Sequence, residues 1–333
     1  MSVPLPFVII THALPAEWLA SLEGHCTWVE GPPAGEQNQP GLDSALTARL
    51  PEAQGLFSLL TIPVNAALLD HAPNLRVVSN MAVGVDNVDL AACTQRGIPV
   101  GNTPGVLTEA TADLSMALIL AAARRLPEAA ADAKAGRWTT WDPTGWLGTD
   151  LDGAVLGIAG MGKIGRAVAK RAHAFGMRLV YSDTAPVPEI EEQLGAEFVP
   201  FDELLAQSDI LSLHVPLTTD TYGLVGERAL RRMKPAASLV NAARGPIVDT
   251  DAIQHALEQG WIRGAALDVT DPEPLPADHP LYSLPNCLVV PHIGSATHNT
   301  RRRMAELACE NLLAGLEGRR LPNCANPEVY QRS

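Results

Sequence analysis

Short uninterrupted apolar runs recur along this chain, separated by longer stretches with apolar residues at helical spacing. In the first hundred residues the runs lie at 7–11, 55–60 and 76–81. A strand buried on both faces cannot alternate apolar with polar, so runs of this kind between helices predict a parallel sheet covered on both sides. Residues 15–23 predict a helix, with Trp18, Leu19 and Leu22 at helical spacing. The stretch 31–41, rich in Pro, Gly, Gln and Asn, predicts a loop.

The texture changes at residue 105. Residues 105–126 form one Ala/Leu-rich segment without internal Pro or Gly and predict a long helix. Its second half is apolar nearly all round, which predicts burial between domains or subunits. The irregular stretch 136–148 follows, with Trp138, Trp141 and Trp146, a large apolar load that needs a surface to pack on. From 154 a second series begins, with strands predicted at 154–159, 178–183, 209–214, 238–243, 264–269 and 287–291. Six parallel strands with helical crossovers make the Rossmann arrangement. A last helix, 297–315, follows this sheet, whereas the first series lacks a closing helix, so the C-terminal segment is expected to return to it. The fold class expected is α/β with two domains, both with parallel sheets. A flavodoxin-like substrate domain takes 1–102 and 296–333, and a Rossmann-type coenzyme domain takes 103–295.

Composition narrows the function. With 333 residues the chain exceeds one compact core, and 47% apolar with 18% charged residues suits a packed globule. A net charge of −13 without a basic cluster argues against nucleic acid and anionic lipid as partners. An anionic substrate then needs a local cation. Five scattered Cys without metal-like spacing predict reduced thiols, no metal, and a cytoplasmic protein. No apolar run reaches membrane-spanning length, and the first residues carry no basic region of a secretory signal.

The candidate chemistry sits at predicted strand ends, where open α/β sheets place ligands. The strand at 154–159 runs into Gly160-Met-Gly162-Lys163-Ile164-Gly165 and a helix, the context that a dinucleotide turn requires. Gly160 permits the turn, Gly162 lets the backbone approach a pyrophosphate, and Gly165 lets the helix pack closely. The anion rests on N–H groups at the helix start, around Lys163 and Ile164. Eighteen positions beyond Gly165 stands Asp183, placed to accept from an adenosine ribose and to repel a 2′-phosphate, which favours NADH over NADPH. Later strand ends supply Arg244, Glu273 and His292. Arg244 is the candidate local cation for gripping a carboxylate or polarising a keto oxygen. His292 is the natural proton donor near neutral pH. Glu273 would hold the imidazole in one tautomer and favour its protonated form.

These residues and spacings resemble the D-isomer-specific 2-hydroxyacid dehydrogenase family over almost the whole chain, most closely its glyoxylate/hydroxypyruvate reductase branch. The stretches Leu267-Asp-Val-Thr-Asp-Pro-Glu-Pro274 and Pro291-His-Ile-Gly-Ser-Ala-Thr-His298 carry the resemblance most specifically. It implies that Arg244 binds substrate, His292 donates the proton and Glu273 pairs with it. It also implies that Asp268 orients the nicotinamide amide, and that Val215, Pro216, Ala242 and Gly294 line the cofactor. The turn Met81-Ala-Val-Gly-Val-Asp86 resembles the loop whose Val83 and Gly84 N–H groups hold the substrate carboxylate, with Leu59 crowding the side-chain end. Residues 105–148 resemble the homodimerisation region, with Trp141 reaching the neighbouring subunit's active site. The implied reaction is NAD(H)-dependent reduction of a short 2-keto acid such as glyoxylate or hydroxypyruvate. A dehydrogenase for 3-phosphoglycerate or D-lactate stays open, as does an NAD-sensing binding protein. Asp183 departs from the NADP preference common in the closest branch.

Overall fold

The computed structural model describes residues 4–33 and 41–331. Residues 34–40 of the predicted loop lie outside them. The described residues divide into two compact units, 4–107 with 297–331, and 108–296.

The first unit holds five parallel strands, β1 (Phe7–Ile10), β2 (Thr27–Glu30), β3 (Gly55–Ser58), β4 (Val77–Asn80) and β5 (Val100–Gly101). Their order is β2-β1-β3-β4-β5, the flavodoxin-like order. Helices α1 (Ser44–Arg49), α2 (Ala66–Asp70) and α3 (Leu90–Gln95) each begin on a capping side chain. Asp43, Asn65 and Asp89 accept from backbone N–H groups of the first turns, satisfying donors that a helix start leaves over. Two expectations needed correction. Residues 15–23 form two short 3-10 turns, Ala16–Trp18 and Ala20–Leu22, rather than one α-helix. The segment is too short to offset helix nucleation by itself, and Leu19 and Leu22 are buried all the same. Strands β2 and β5 went unread because β2 is a partly exposed edge and β5 spans two residues.

The second unit opens with α4 (Thr108–Ala123) and α5 (Leu126–Lys134). The predicted helix at 105–126 is therefore shorter. Pro127 sits in the first turn of α5 and has no N–H with which to continue the hydrogen-bond ladder of α4, and Arg125 turns left-handed, with φ 51°. Strands β6 (Val155–Ala159), β7 (Arg178–Ser182), β8 (Glu197–Phe198), β9 (Ile210–Leu213), β10 (Ser238–Asn241), β11 (Gly264–Leu267) and β12 (Cys287–Val289) are all parallel, in the order β12-β11-β10-β9-β6-β7-β8. Seven strands replace the six expected. The added one, β8, is exposed and carries no apolar run. Helices α6 (Lys163–Ala174), α7 (Pro188–Leu194), α8 (Phe201–Gln207), α9 (Glu227–Arg232) and α10 (Thr250–Glu258) complete the unit. The apolar residues of α4 are used within it: Ala112, Met116, Ile119 and Ala123 pack with Leu156, Ile158 and Val168.

The chain then returns to the first unit through α11 (His298–Leu316), capped by the Thr297 side chain. Glycines let this helix lie tight on the first sheet. A Cβ on Gly315 would stand 2.4 Å from a Val77 methyl, and one on Gly55 would stand 2.9 Å from Leu312. Ser79 Oγ donates to Ala308 O at 2.7 Å across the same contact.

Candidate active site

The glycine turn is built by close approach. Gly160 has φ 93°, and a Cβ there would sit 2.8 Å from the His214 carbonyl. A Cβ on Gly165 would overlap Gly160 O at 2.1 Å, so only glycine lets α6 start this close to β6. At Gly162 a Cβ would meet nothing within 4 Å, so the backbone there is open to a ligand. No side chain caps the N-terminus of α6, and Lys163 is exposed with Ile164 partly buried. An uncapped helix start beside an open glycine fits a diphosphate.

Asp183 follows β7. Its Oδ2 accepts from Met161 N at 2.6 Å, inside the glycine turn, and its Oδ1 accepts from Thr184 N at 2.6 Å. The carboxylate is thus fixed beside the turn. A residue that the sequence reading missed is Arg166. Its Nε donates to Met161 O at 3.0 Å, and its Nη1 lies 3.5 Å from Glu189. The signal available was its place one residue beyond Gly165, but only the turn's curvature brings it back to Met161. Val215 and Ala242 are partly buried and Pro216 is exposed, just beyond the ends of β9 and β10. His214 Nε2 lies 2.8 Å from Ser212 Oγ, its Nδ1 is buried without a partner, and burial pushes the imidazole down to about 4.

The chemical residues follow three adjacent strands in register. Asn241 of β10 lies beside Leu267 of β11, and Leu267 beside Val289 of β12. Arg244, Asp268, Glu273 and His292 all come shortly after those residues, so they emerge at the carboxyl end of the sheet. A Cβ on Gly245 would overlap Thr270 O at 1.9 Å, so the Arg244 turn packs against the loop that carries Glu273. Asn241 Nδ2 holds the Arg244 carbonyl at 2.9 Å, and Arg244 Nη1 donates to Ala243 O at 2.8 Å.

His292 Nδ1 and Glu273 Oε1 stand 2.5 Å apart, a contact that fixes the orientation of the ring. The His292 backbone is itself held. It adopts φ 50°, and its N–H donates to Asp268 O at 2.8 Å. Asp268 is 1% exposed, and its two oxygens accept from Ile293 N at 2.6 Å and Gly294 N at 2.9 Å. Burial pushes the Asp268 carboxyl upward, opposed by those N–H donors and by His292. The carboxylate assigned by resemblance to the nicotinamide is therefore engaged with the histidine's own turn.

In the first unit, Val83 and Gly84 lie on the partly buried turn after β4, and Leu59 packs on the apolar cluster of that unit. Trp141 is 80% exposed and Trp138 65%, whereas Trp146 Nε1 donates to Asp132. Cys26, Cys93, Cys287 and Cys309 are buried, with thiols pushed up by burial to about 11 or 12. Among the described residues no group of His, Cys, Asp and Glu is placed to hold a metal, and no helix is long and apolar enough to cross a membrane.

Comparison with known proteins agrees with this geometry. Residues 116–294 match the family described as D-isomer specific 2-hydroxyacid dehydrogenase, NAD binding domain. A glyoxylate reductase of Korarchaeum cryptofilum is 47% identical over 330 residues, covering 98% of this chain and 97% of its own. The crystal structure of a Thermus thermophilus protein aligns with TM-score 0.88 and 49% identity, over 96% of this chain and 99% of that one. An NADPH-dependent glyoxylate/hydroxypyruvate reductase of Sinorhizobium meliloti, solved with NADP and malonate, aligns with TM-score 0.83 and 33% identity, over 96% of each chain. Matched by the family over more than half its length and by these relatives over nearly all of it, this chain belongs to the D-isomer specific 2-hydroxyacid dehydrogenase family and is an oxidoreductase with a nicotinamide cofactor.

Proposed function

We propose that this enzyme reduces a short 2-keto acid, glyoxylate or hydroxypyruvate, to the 2-hydroxy acid, with NADH preferred over NADPH. The observation that carries the reading is the His292–Glu273 pair, 2.5 Å apart beyond the carboxyl ends of β11 and β12. Reduction puts a hydride on the keto carbon and a proton on its oxygen. The bound reduced nicotinamide supplies the hydride. His292 Nε2 gives the proton, because Nδ1 is committed to Glu273. Arg244 offers two parallel N–H donors to the keto acid, a geometry that a lysine lacks. The Val83 and Gly84 N–H groups take the carboxylate. The glycine turn, with Lys163 and Ile164, holds the diphosphate, and Val215, Pro216, Ala242 and Gly294 line the cofactor.

Asp183 supports NADH, since a fixed carboxylate beside the turn repels a 2′-phosphate. A second reading has its own observation. Arg166 stands against the same turn and is paired to Glu189 at only 3.5 Å, so a 2′-phosphate has a cation within the neighbourhood. Initial rates with glyoxylate, hydroxypyruvate, pyruvate and phosphohydroxypyruvate, each with NADH and NADPH, decide both questions. Equal or better turnover with NADPH overturns the cofactor preference. Activity confined to phosphohydroxypyruvate or pyruvate moves the enzyme to the 3-phosphoglycerate or D-lactate branch. No turnover with any of them leaves an NAD-binding protein.

We further infer a homodimer through residues 105–148. The apolar face of α4 is used internally, so the support comes from Leu126, Trp138, Trp141 and Leu147, all more than half exposed in one stretch. Trp141 is then the residue to reach the neighbouring active site. A fully active monomer in light scattering at micromolar concentration rules this out.

A further inference from the structure

The turn after β4 is held by its carbonyls. Ala82 O accepts from Thr103 N at 2.8 Å, Val83 O from Asn102 Nδ2 at 2.9 Å, and Gly84 O from Asn80 Nδ2 at 3.1 Å. In a planar trans peptide the N–H points opposite to the C=O of the same unit. Pinning these three carbonyls therefore turns the N–H groups of Val83, Gly84 and Val85 away from the pins. None of the three donates a hydrogen bond to a described residue. Successive backbone N–H groups presented in this way make an anion-binding concavity.

The pins are themselves fixed by an amide network. Asn80 Oδ1 accepts from Ser58 Oγ at 3.0 Å and from Asn87 Nδ2 at 3.2 Å. Asn87 Nδ2 also reaches the carbonyls of Leu59 and Ile62. On the other side, Asn102 O accepts from Asn311 Nδ2 of α11 at 3.0 Å, and Asn311 Oδ1 accepts from Asn323 N. Ser58, Asn80 and Asn311 are fully buried. A buried polar network satisfied at each member permits one arrangement and resists others.

We propose that Asn80 and Asn102 are positioning residues, which aim the N–H groups of Val83, Gly84 and Val85 as a nest for the substrate carboxylate. Asn311 holds Asn102 and so ties the nest to the returning C-terminal helix. This rests on the 2-keto acid reading above and adds a division of labour to it. The asparagines set affinity for the carboxylate end of the substrate, and neither hydride nor proton transfer nor cofactor affinity depends on them.

The test uses Asn102, which is only partly buried, in the full-length enzyme. Asn102→Ala deletes one pin, and the isosteric Asn102→Asp replaces a donor with an acceptor facing Val83 O. The KM for glyoxylate is expected to rise about tenfold in the first and further in the second. The KM for NADH and the kcat at saturation stay within about twofold, as for loss of uniform binding. Calorimetric affinity for oxamate, a carboxylate that does not react, falls in parallel. Should Asn102→Ala fail to fold, Asn102→Asp gives the same readout. Unchanged glyoxylate KM and oxamate affinity overturn the nest, as does an equal rise in the KM for NADH. The two readings fail separately. A parent enzyme that reduces no 2-keto acid, yet whose oxamate binding weakens in the variants, keeps the nest and loses the substrate. A parent that turns over glyoxylate with indifferent variants keeps the substrate and loses the nest.

Discussion

Replacing Asp268 with Asn tests what holds His292, the proposed proton donor. The carboxylate is 1% exposed and gives one oxygen to Ile293 N at 2.6 Å and the other to Gly294 N at 2.9 Å. An amide of the same shape has one acceptor, so one of those N–H groups would face an NH2. A hydrogen bond to a charged group contributes about 1.5–3 kcal/mol, and an unsatisfied buried N–H costs about 1–3 kcal/mol. The retained bond becomes a neutral one. The expected loss is about 2–4 kcal/mol, or a fall in melting temperature of roughly 3–6 °C for a chain of this size. The turn can escape the clash only by shifting, and it carries His292 with it. Displacement of a reacting group by about 1 Å costs on the order of a hundredfold in rate. Steady-state kinetics on the folded variant should therefore show kcat down by about 30- to 100-fold. NADH affinity, read by quenching of intrinsic Trp fluorescence, should be unchanged. A variant with parental kcat and weakened NADH binding would falsify the reasoning and return the carboxylate to the nicotinamide.

Other expectations follow from neighbouring contacts. Glu273→Gln keeps the shape of the His292 partner and removes its charge, so the pH at which reduction falls off should move toward acid. A pH–rate profile that does not move breaks the pairing. His214 is held neutral by burial down to about 4, while the unfolded imidazole takes up a proton near 6.5. The unfolded chain then binds more protons between those values, so stability should fall as pH drops from about 6.5 to about 4, by up to about 3 kcal/mol. Urea unfolding across that range should show the slope, and His214→Asn should flatten it; equal slopes remove His214 as the cause. Gly165→Ala places a Cβ 2.1 Å from Gly160 O and should weaken NADH binding by tenfold or more in the same fluorescence titration, whereas parental affinity would mean that the helix start can give way.

Much of this was legible in the linear chain. Parallel α/β architecture follows from apolar runs that cannot alternate, because each such strand needs cover on both faces. The glycine turn follows from backbone sterics, and Arg244, Glu273 and His292 stand out as a set, a cation, a carboxylate and an imidazole that each follow a predicted strand. Elements with weak periodicity escaped notice. Edge strands β2 and β8 have no fully buried position, and residues 15–23 are too short to declare a helix type.

Tertiary structure decided the rest, since contacts between distant residues leave no local signature. Family resemblance assigns the Asp268 carboxylate to the nicotinamide amide, and only the fold brings the Ile293 and Gly294 N–H groups onto it. The apolar stripe of α4 reads as an interface, and only the packing of the sheet shows it spent on Leu156 and Ile158. Arg166 becomes a neighbour of Met161 through the curvature of a glycine turn. Asn80 and Asn102 carry no motif; they matter because folding sets their amides against two successive carbonyls, and a hydrogen-bond donor acquires a role only when an acceptor is brought to it.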